Sequence, residues 1–243
     1  MKIAVLLSGI MLLASLSCNS QQTPTAKVNG FALVELFTSE GCSSCPAADA
    51  LMPKLVEEYG EHIITLSFHV DYWDRLGWKD PFSQHLFTER RNRYANFLNQ
   101  EFVYTPEAIV NRTKGMIGSD KSDLKQAISQ VIASKENRAI QLQQSTTNDA
   151  ITVSFSCELR KEDLLLVVLA KTQATTTVKK GENAGRTLKH SNVVYELRSF
   201  SSGNGNASFK VPAGLSRKDF KIVAFIQSKQ TMEITGAREM NVL

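Results

Sequence analysis

The chain has 243 residues, of which 42% are hydrophobic, and a formal net charge of +4. This is a globular composition, long enough for one large or two ordinary domains. The charge is mild and no dense basic block is interleaved with aromatics, which excludes nucleic acid as a partner; Arg90-Arg91-Arg93 reads as a solvated helix face.

The amino terminus reads as a targeting segment rather than as part of the fold. Lys2 precedes Ile3 to Leu16, apolar apart from Ser8, Gly9 and Ser15, and too short to span a bilayer comfortably. Ser17-Cys18 and the polar stretch Asn19 to Pro24 follow, an order that resembles a bacterial lipoprotein signal. The resemblance implies cleavage before Cys18 and a lipidated amino terminus; ordinary cleavage into the periplasm is the other reading. Residues 1–18 are thus taken as the signal and 19–28 as a linker, with membrane contact only through the lipid anchor. Either way the destination, periplasm or outer membrane, permits disulfides.

Phe31 to Phe37 is an apolar run that reads as a buried strand, and Pro46 to Tyr59 reads as a helix with Leu51, Leu55, Val56 and Tyr59 as its stripe and Pro53 as a kink. Between them stands Gly41-Cys42-Ser43-Ser44-Cys45-Pro46. Strand, turn, Cys-x-x-Cys and helix start is the setting for thiol–disulfide chemistry. Unpaired N–H groups at a helix start favour the Cys42 thiolate, and Cys45, one turn on, is placed to resolve a mixed disulfide. Glu40 moderates that shift by adding negative charge. A permanent structural disulfide is the competing reading. A zinc site would need two further ligands, and His62, His69, His85 and His190 are scattered, so no metal is assigned. Of the remaining cysteines, Cys18 is the lipid acceptor. Cys157 shares a strand face with Val153, Phe155 and Leu159 as a core residue.

Glu35 lies within the buried strand, where a carboxylate is costly unless it finds a partner or a proton, or sits at the strand edge and reaches water. Ile63 to Val70 alternates as the next parallel strand. Both tryptophans follow in Asp71-Tyr72-Trp73-Asp74-Arg75-Leu76-Gly77-Trp78, at the strand's carboxyl end. That segment is either a substrate rim using Asp71, Trp73 and Trp78, or a loop pinned by its aromatics. Asp80-Pro81 opens a helix to about residue 99. Thr105-Pro106 heads a short strand, where proline gives up no ladder donor and a cis bond is allowed. Asn111 to Gly115 makes a hairpin turn, and Ser119 or Ser122 caps a helix carrying Leu124, Ala127, Ile128, Val131 and Ile132.

From Glu136 onward the texture is polar and then β-like: Ile151 to Leu159, Leu164 to Thr172, Val193 to Phe200, Ala207 to Val211, Phe220 to Ser228 and Met232 to Thr235. This predicts a small antiparallel sandwich. Residues 179–192, with Gly181 and Gly185, form a long connection. It either folds over Cys42, bringing Asn183 or Arg186 to a substrate, or runs along the surface.

The order of strand, Cys42-x-x-Cys45, Thr105-Pro106, hairpin and helix resembles the thioredoxin fold over about residues 29–135, with residues 81–99 as an inserted helix. Gly41 to Pro46, Asp71 to Trp78 and Gly181 to Leu188 together resemble a bacterial family of exported thioredoxin-like proteins known as domain of unknown function 1223. The resemblance implies an α/β thioredoxin-like domain followed by an all-β domain at 136–243. It also implies Pro106 as a cis-proline facing the disulfide, the backbone of Thr105 pairing with an extended substrate, and Glu35 as a proton shuttle for the resolving thiol. The function expected is a thiol–disulfide oxidoreductase of the cell envelope. It needs no cofactor beyond the Cys42–Cys45 pair, acts on a thiol- or disulfide-bearing protein or peptide, and draws on an envelope electron donor. The alternative is a non-catalytic binding module for a protein, peptide or metal, held by a structural disulfide. A third reading is a copper or zinc carrier using both thiolates and His69.

Overall fold

The computed structural model describes residues 30–112, 114–133, 137–147 and 150–242. The expected signal and linker, including Cys18, lie outside the described residues. Among these residues the chain forms eleven strands and three α-helices.

β1 (Ala32–Thr38) is buried at every position. Its apolar residues serve two faces, as a strand covered on both sides requires. β2 (Ile63–His69) pairs with it in parallel from Ala32↔Ile63 to Thr38↔His69. On its other edge β3 (Glu107–Val110) runs antiparallel, and β4 (Gly115–Ile117) completes a hairpin with β3. α1 (Cys45–Tyr59) lays Ala48, Leu51, Met52 and Leu55 on Ala32, Val34 and Leu36, together with Leu124 and Ile128 of α3 (Lys121–Ala133). Each of the larger side chains in this set, the leucines, Met52, Val34 and Ile128, contributes about 2 kcal/mol relative to exposure. Asp120, not a serine, caps α3 by accepting from the Asp123 N–H at 3.0 Å.

The opposite face of β1 presents Leu33 and Phe37. It meets Leu66 and Phe68 of β2 and Phe87 and Tyr94 of α2 (His85–Phe97). α2 begins later than Asp80-Pro81 suggests. Asp80 Oδ1 accepts from Phe82 N–H at 2.9 Å, closing a turn before the helix starts.

The expected separation into an α/β thioredoxin-like domain and a small β-sandwich is overturned. Strand outweighs helix, and one mixed sheet of eight strands runs β11-β10-β7-β8-β2-β1-β3-β4. β7 (Asp163–Thr177) and β8 (Thr187–Phe200) form a long hairpin, and β8 joins β2 in parallel at Ser67↔Val193. β10 (Phe220–Ser228) and β11 (Ile234–Asn241) extend the same sheet. The physical reason lies in the runs Leu165 to Ala170 and Ile222 to Gln227, which are buried without interruption. A sandwich strand with one wet face would alternate; these are covered on both sides. One face meets α2 through Leu166, Val168, Val223 and Phe225. The other meets a separate three-stranded sheet of β5 (Ile140–Thr147), β6 (Ala150–Cys157) and β9 (Asn204–Lys210) through Leu165, Val167, Ile222 and Ala224.

Arg90 and Arg91 are buried, leaving only Arg93 of that run exposed. Arg90 Nε and Nη2 donate to the two oxygens of Glu35 at 2.5 and 2.9 Å, and its Nη1 donates to Gln227 of β10 at 3.1 Å. The Tyr94 hydroxyl also donates to Glu35. Arg91 Nη2 lies 2.5 Å from a Glu107 oxygen, with both side chains buried.

Candidate functional site

Cys42 and Cys45 form a disulfide at the start of α1, with a Cα–Cα separation of 5.4 Å. The helix start carries no acidic residue in its first turn and no side-chain cap from Ser44, so its positive end faces the sulfurs. Ser44 Oγ lies 3.3 Å from Cys42 Sγ, and the Thr105 carbonyl oxygen 3.7 Å from it. The Thr105–Pro106 peptide is cis.

The tip of the β7–β8 hairpin closes over this turn. Gly181 (φ 78°) and Gly185 (φ 82°) give the tip its left-handed bends. Asn183, fully buried, donates from Nδ2 to the carbonyls of Glu40 and Cys42, both at 2.9 Å. Arg186 Nη1 donates to Asn183 Oδ1 at 2.7 Å and so fixes the orientation of that amide. Glu182 accepts from the Ser43 N–H at 3.0 Å, and the Ser43 side chain together with this N–H holds its carboxyl below the usual range. Cys42 is only 1% exposed.

The tryptophans hold the same turn from the other side. Trp73 Nε1 donates to Thr105 Oγ1 at 2.8 Å, and its Cβ sits so near Gly41 that a side chain there would meet it at 3.0 Å. Trp78 Nε1 donates to Glu40 Oε2 at 2.8 Å. Asp71 is drawn elsewhere: it accepts from Thr88 Oγ1 at 2.6 Å and pairs with His85 Nδ1 at 3.1 Å, on α2. Glu35 lies on the face of β1 opposite α1, locked to Arg90, so the structure does not bring it to the cysteines.

A polar cluster that the sequence reading did not assemble lies beside the turn. Asp49, one helical turn after Cys45, accepts from Thr38 Oγ1 at 3.0 Å and lies 3.2 Å from His190 Nδ1. The other nitrogen of His190 is 3.2 Å from Glu40 Oε1. Burial opposes charge on His190, but these two carboxylates outweigh it and its pKa is pushed up to about 10. Asp80 accepts from Glu40 N–H at 2.8 Å and lies 2.7 Å from His69 Nδ1. Burial raises its pKa, but the His69 charge and these hydrogen bonds prevail and lower it. His69 and His190, scattered in sequence, stand with ring centroids 4.8 Å apart. The available signals were polar residues in apolar settings: Asp49 within the α1 stripe, and His190 on the inward face with Leu188. Beside the cluster a cavity of about 580 Å³ opens between Pro46, Asp49 and Pro53 of α1 and Ala174, Leu188 and His190 of the hairpin.

Fold and site together define a mixed-sheet protein with a disulfide at a helix start, sealed by a hairpin tip. The chain belongs to the family described as protein of unknown function (DUF1223), whose signature matches residues 33–227. A crystal structure of a protein from Agrobacterium tumefaciens is similar at 23% identity and a TM-score of 0.66. The match covers 86% of this chain and 93% of that one, a likeness of fold. A domain of an outer membrane lipoprotein from Porphyromonas gingivalis matches at 15% identity over 44% of this chain and 88% of that one, with a TM-score of 0.28. No curated protein matches. Among the described residues, no helix is long and apolar enough to cross a membrane.

Proposed function

We propose that the protein is a thiol–disulfide oxidoreductase of the bacterial envelope. The observation that carries this reading is the Cys42–Cys45 pair at the positive end of α1, with Cys42 Sγ 3.7 Å from the Thr105 carbonyl. The Cys42 thiolate attacks a sulfur of a substrate disulfide, forming a mixed disulfide and releasing the substrate's other sulfur as a thiolate. Cys45 then attacks Cys42 Sγ, which frees the second substrate thiol and restores the bridge. In this direction the substrate gains two electrons and an envelope dithiol donor resets the pair; the same steps run in reverse oxidise a substrate dithiol, and the midpoint of the pair decides between them.

Thr105, Pro106 and Trp73 shape the floor on which a peptide lies. Phe102, 76% exposed, and Val103 offer it apolar contact. Substrate access requires the tip bearing Asn183 and Arg186 to lift, with Trp78 holding Glu40 in place. Export rests on the signal-like residues 1–18, with Cys18 as the lipid-bearing residue.

The near-complete burial of Cys42 favours a second reading, a binding module in which the disulfide is structural. Equilibration in glutathione buffers, read by alkylation and mass, separates the two. A midpoint between about −120 and −270 mV supports the oxidoreductase; a pair still oxidised below about −300 mV makes the bridge structural.

A further inference from the structure

His69 and His190 meet edge to face, and each has a carboxylate on one ring nitrogen. Asp80 is on His69 Nδ1 at 2.7 Å and Glu40 is on His190 Nε2 at 3.2 Å. A carboxylate on the far nitrogen is how proteins fix the tautomer and aim of a metal-ligating histidine. The two remaining nitrogens are His69 Nε2, buried and without a hydrogen-bond partner, and His190 Nδ1, which faces Asp49 at 3.2 Å. One donor atom from each of Asp49, His69 and His190 lies within 4.8 Å of the other two.

Charge permits an ion here. Glu40, Asp49 and Asp80 are all buried beside the two imidazoles. A divalent ion that takes the place of two imidazole protons leaves the net charge of the five side chains unchanged, so the exchange adds no buried charge. Two imidazole nitrogens with one carboxylate oxygen suit borderline first-row ions such as Zn²⁺, whereas Ca²⁺ and Mg²⁺ prefer all-oxygen sets. The cavity of about 580 Å³ has Asp49 and His190 on its wall and gives an ion a route inward.

We propose that Asp49, His69 and His190 bind a divalent transition-metal ion of the Zn²⁺ class, with Glu40 and Asp80 orienting the imidazoles. The site uses neither thiol, so it is independent of the redox reading and distinct from a thiolate carrier.

The test is titration of the chelator-treated full chain with Zn²⁺, and with Co²⁺ as a visible-absorbing probe, while the Cys42–Cys45 pair is kept oxidised. The expected result is about one ion per chain, a Co²⁺ spectrum of nitrogen and oxygen ligation, and a rise in melting temperature with Zn²⁺. His69→Ala and Asp49→Asn should each weaken binding by about 100-fold or more, and Asp80→Asn by about 10- to 100-fold. Circular dichroism confirms that each variant is folded. Because binding to the unaltered chain is measured directly, a variant that does not fold leaves the test intact. Absence of binding to the oxidised wild-type chain below about 100 μM metal would overturn the proposal, as would affinity unchanged in folded His69→Ala. The glutathione midpoint is measured separately, so failure of one reading leaves the other standing.

Discussion

Two buried polar clusters lie on opposite faces of β1, and they are built differently. On the α2 face, Glu35 has both oxygens satisfied by Arg90 and a third contact from Tyr94, while Gln227 donates to Tyr94 Oη at 2.8 Å and to the Met232 carbonyl at 2.8 Å. Its charges balance and its donors are used. On the α1 face, three carboxylates gather around two histidines and His69 Nε2 is left without a partner. A closed network of the first kind clamps the early strands to the late ones; an open, acid-rich one of the second kind has capacity left for a ligand.

Removing Glu35 should break the balanced cluster most severely. Glu35→Ala strands Arg90 in the core and should cost about 3–5 kcal/mol in urea unfolding, whereas Glu35→Met with Arg90→Met should recover most of that loss. A smaller effect, about 2 kcal/mol, is expected from Cys42→Ser if the disulfide acts only by closing its short loop, seen as a lower urea midpoint. Asn183→Ala removes two buried hydrogen bonds from the tip and should cost about 1–3 kcal/mol; it should also make the disulfide faster to reduce by dithiothreitol, because the tip covers Cys42. Trp78→Phe keeps the ring and loses the bond to Glu40, a change of about 1 kcal/mol in the same assay. Arg93→Ala, exposed beside its two buried neighbours, should stay within about 0.5 kcal/mol.

That last contrast shows where the sequence is readable. Arg90, Arg91 and Arg93 look alike as a charged run, and only the positions of Glu35 and Glu107 in the fold decide which are buried. β1 was legible as an apolar run, α1, β2 and α3 by their local periods and the β3–β4 hairpin by its turn residues, and the cysteine pair was legible because its members are three residues apart. The joined sheet was not, since β8 meets β2 through the single pair Ser67↔Val193, and no local pattern announces a partner that distant. β5 was hidden for a related reason: its glutamines and threonines form a strand through pairing with β6, at the edge of a sheet where polar side chains are tolerated. The polar cluster beside the turn needed both kinds of information, because His190 reaches Asp49 across 141 residues of chain.

The hairpin tip also imposes an order of events on a nascent chain. Asn183 seals the Cys42 turn from 141 residues downstream. On the export proposed above, a polypeptide that enters an oxidising compartment amino terminus first presents both thiols before their cover arrives, and the pace of transfer sets the interval in which an oxidant meets them. Pairing of the cysteines is easiest early, while the completed molecule shields what it has already joined.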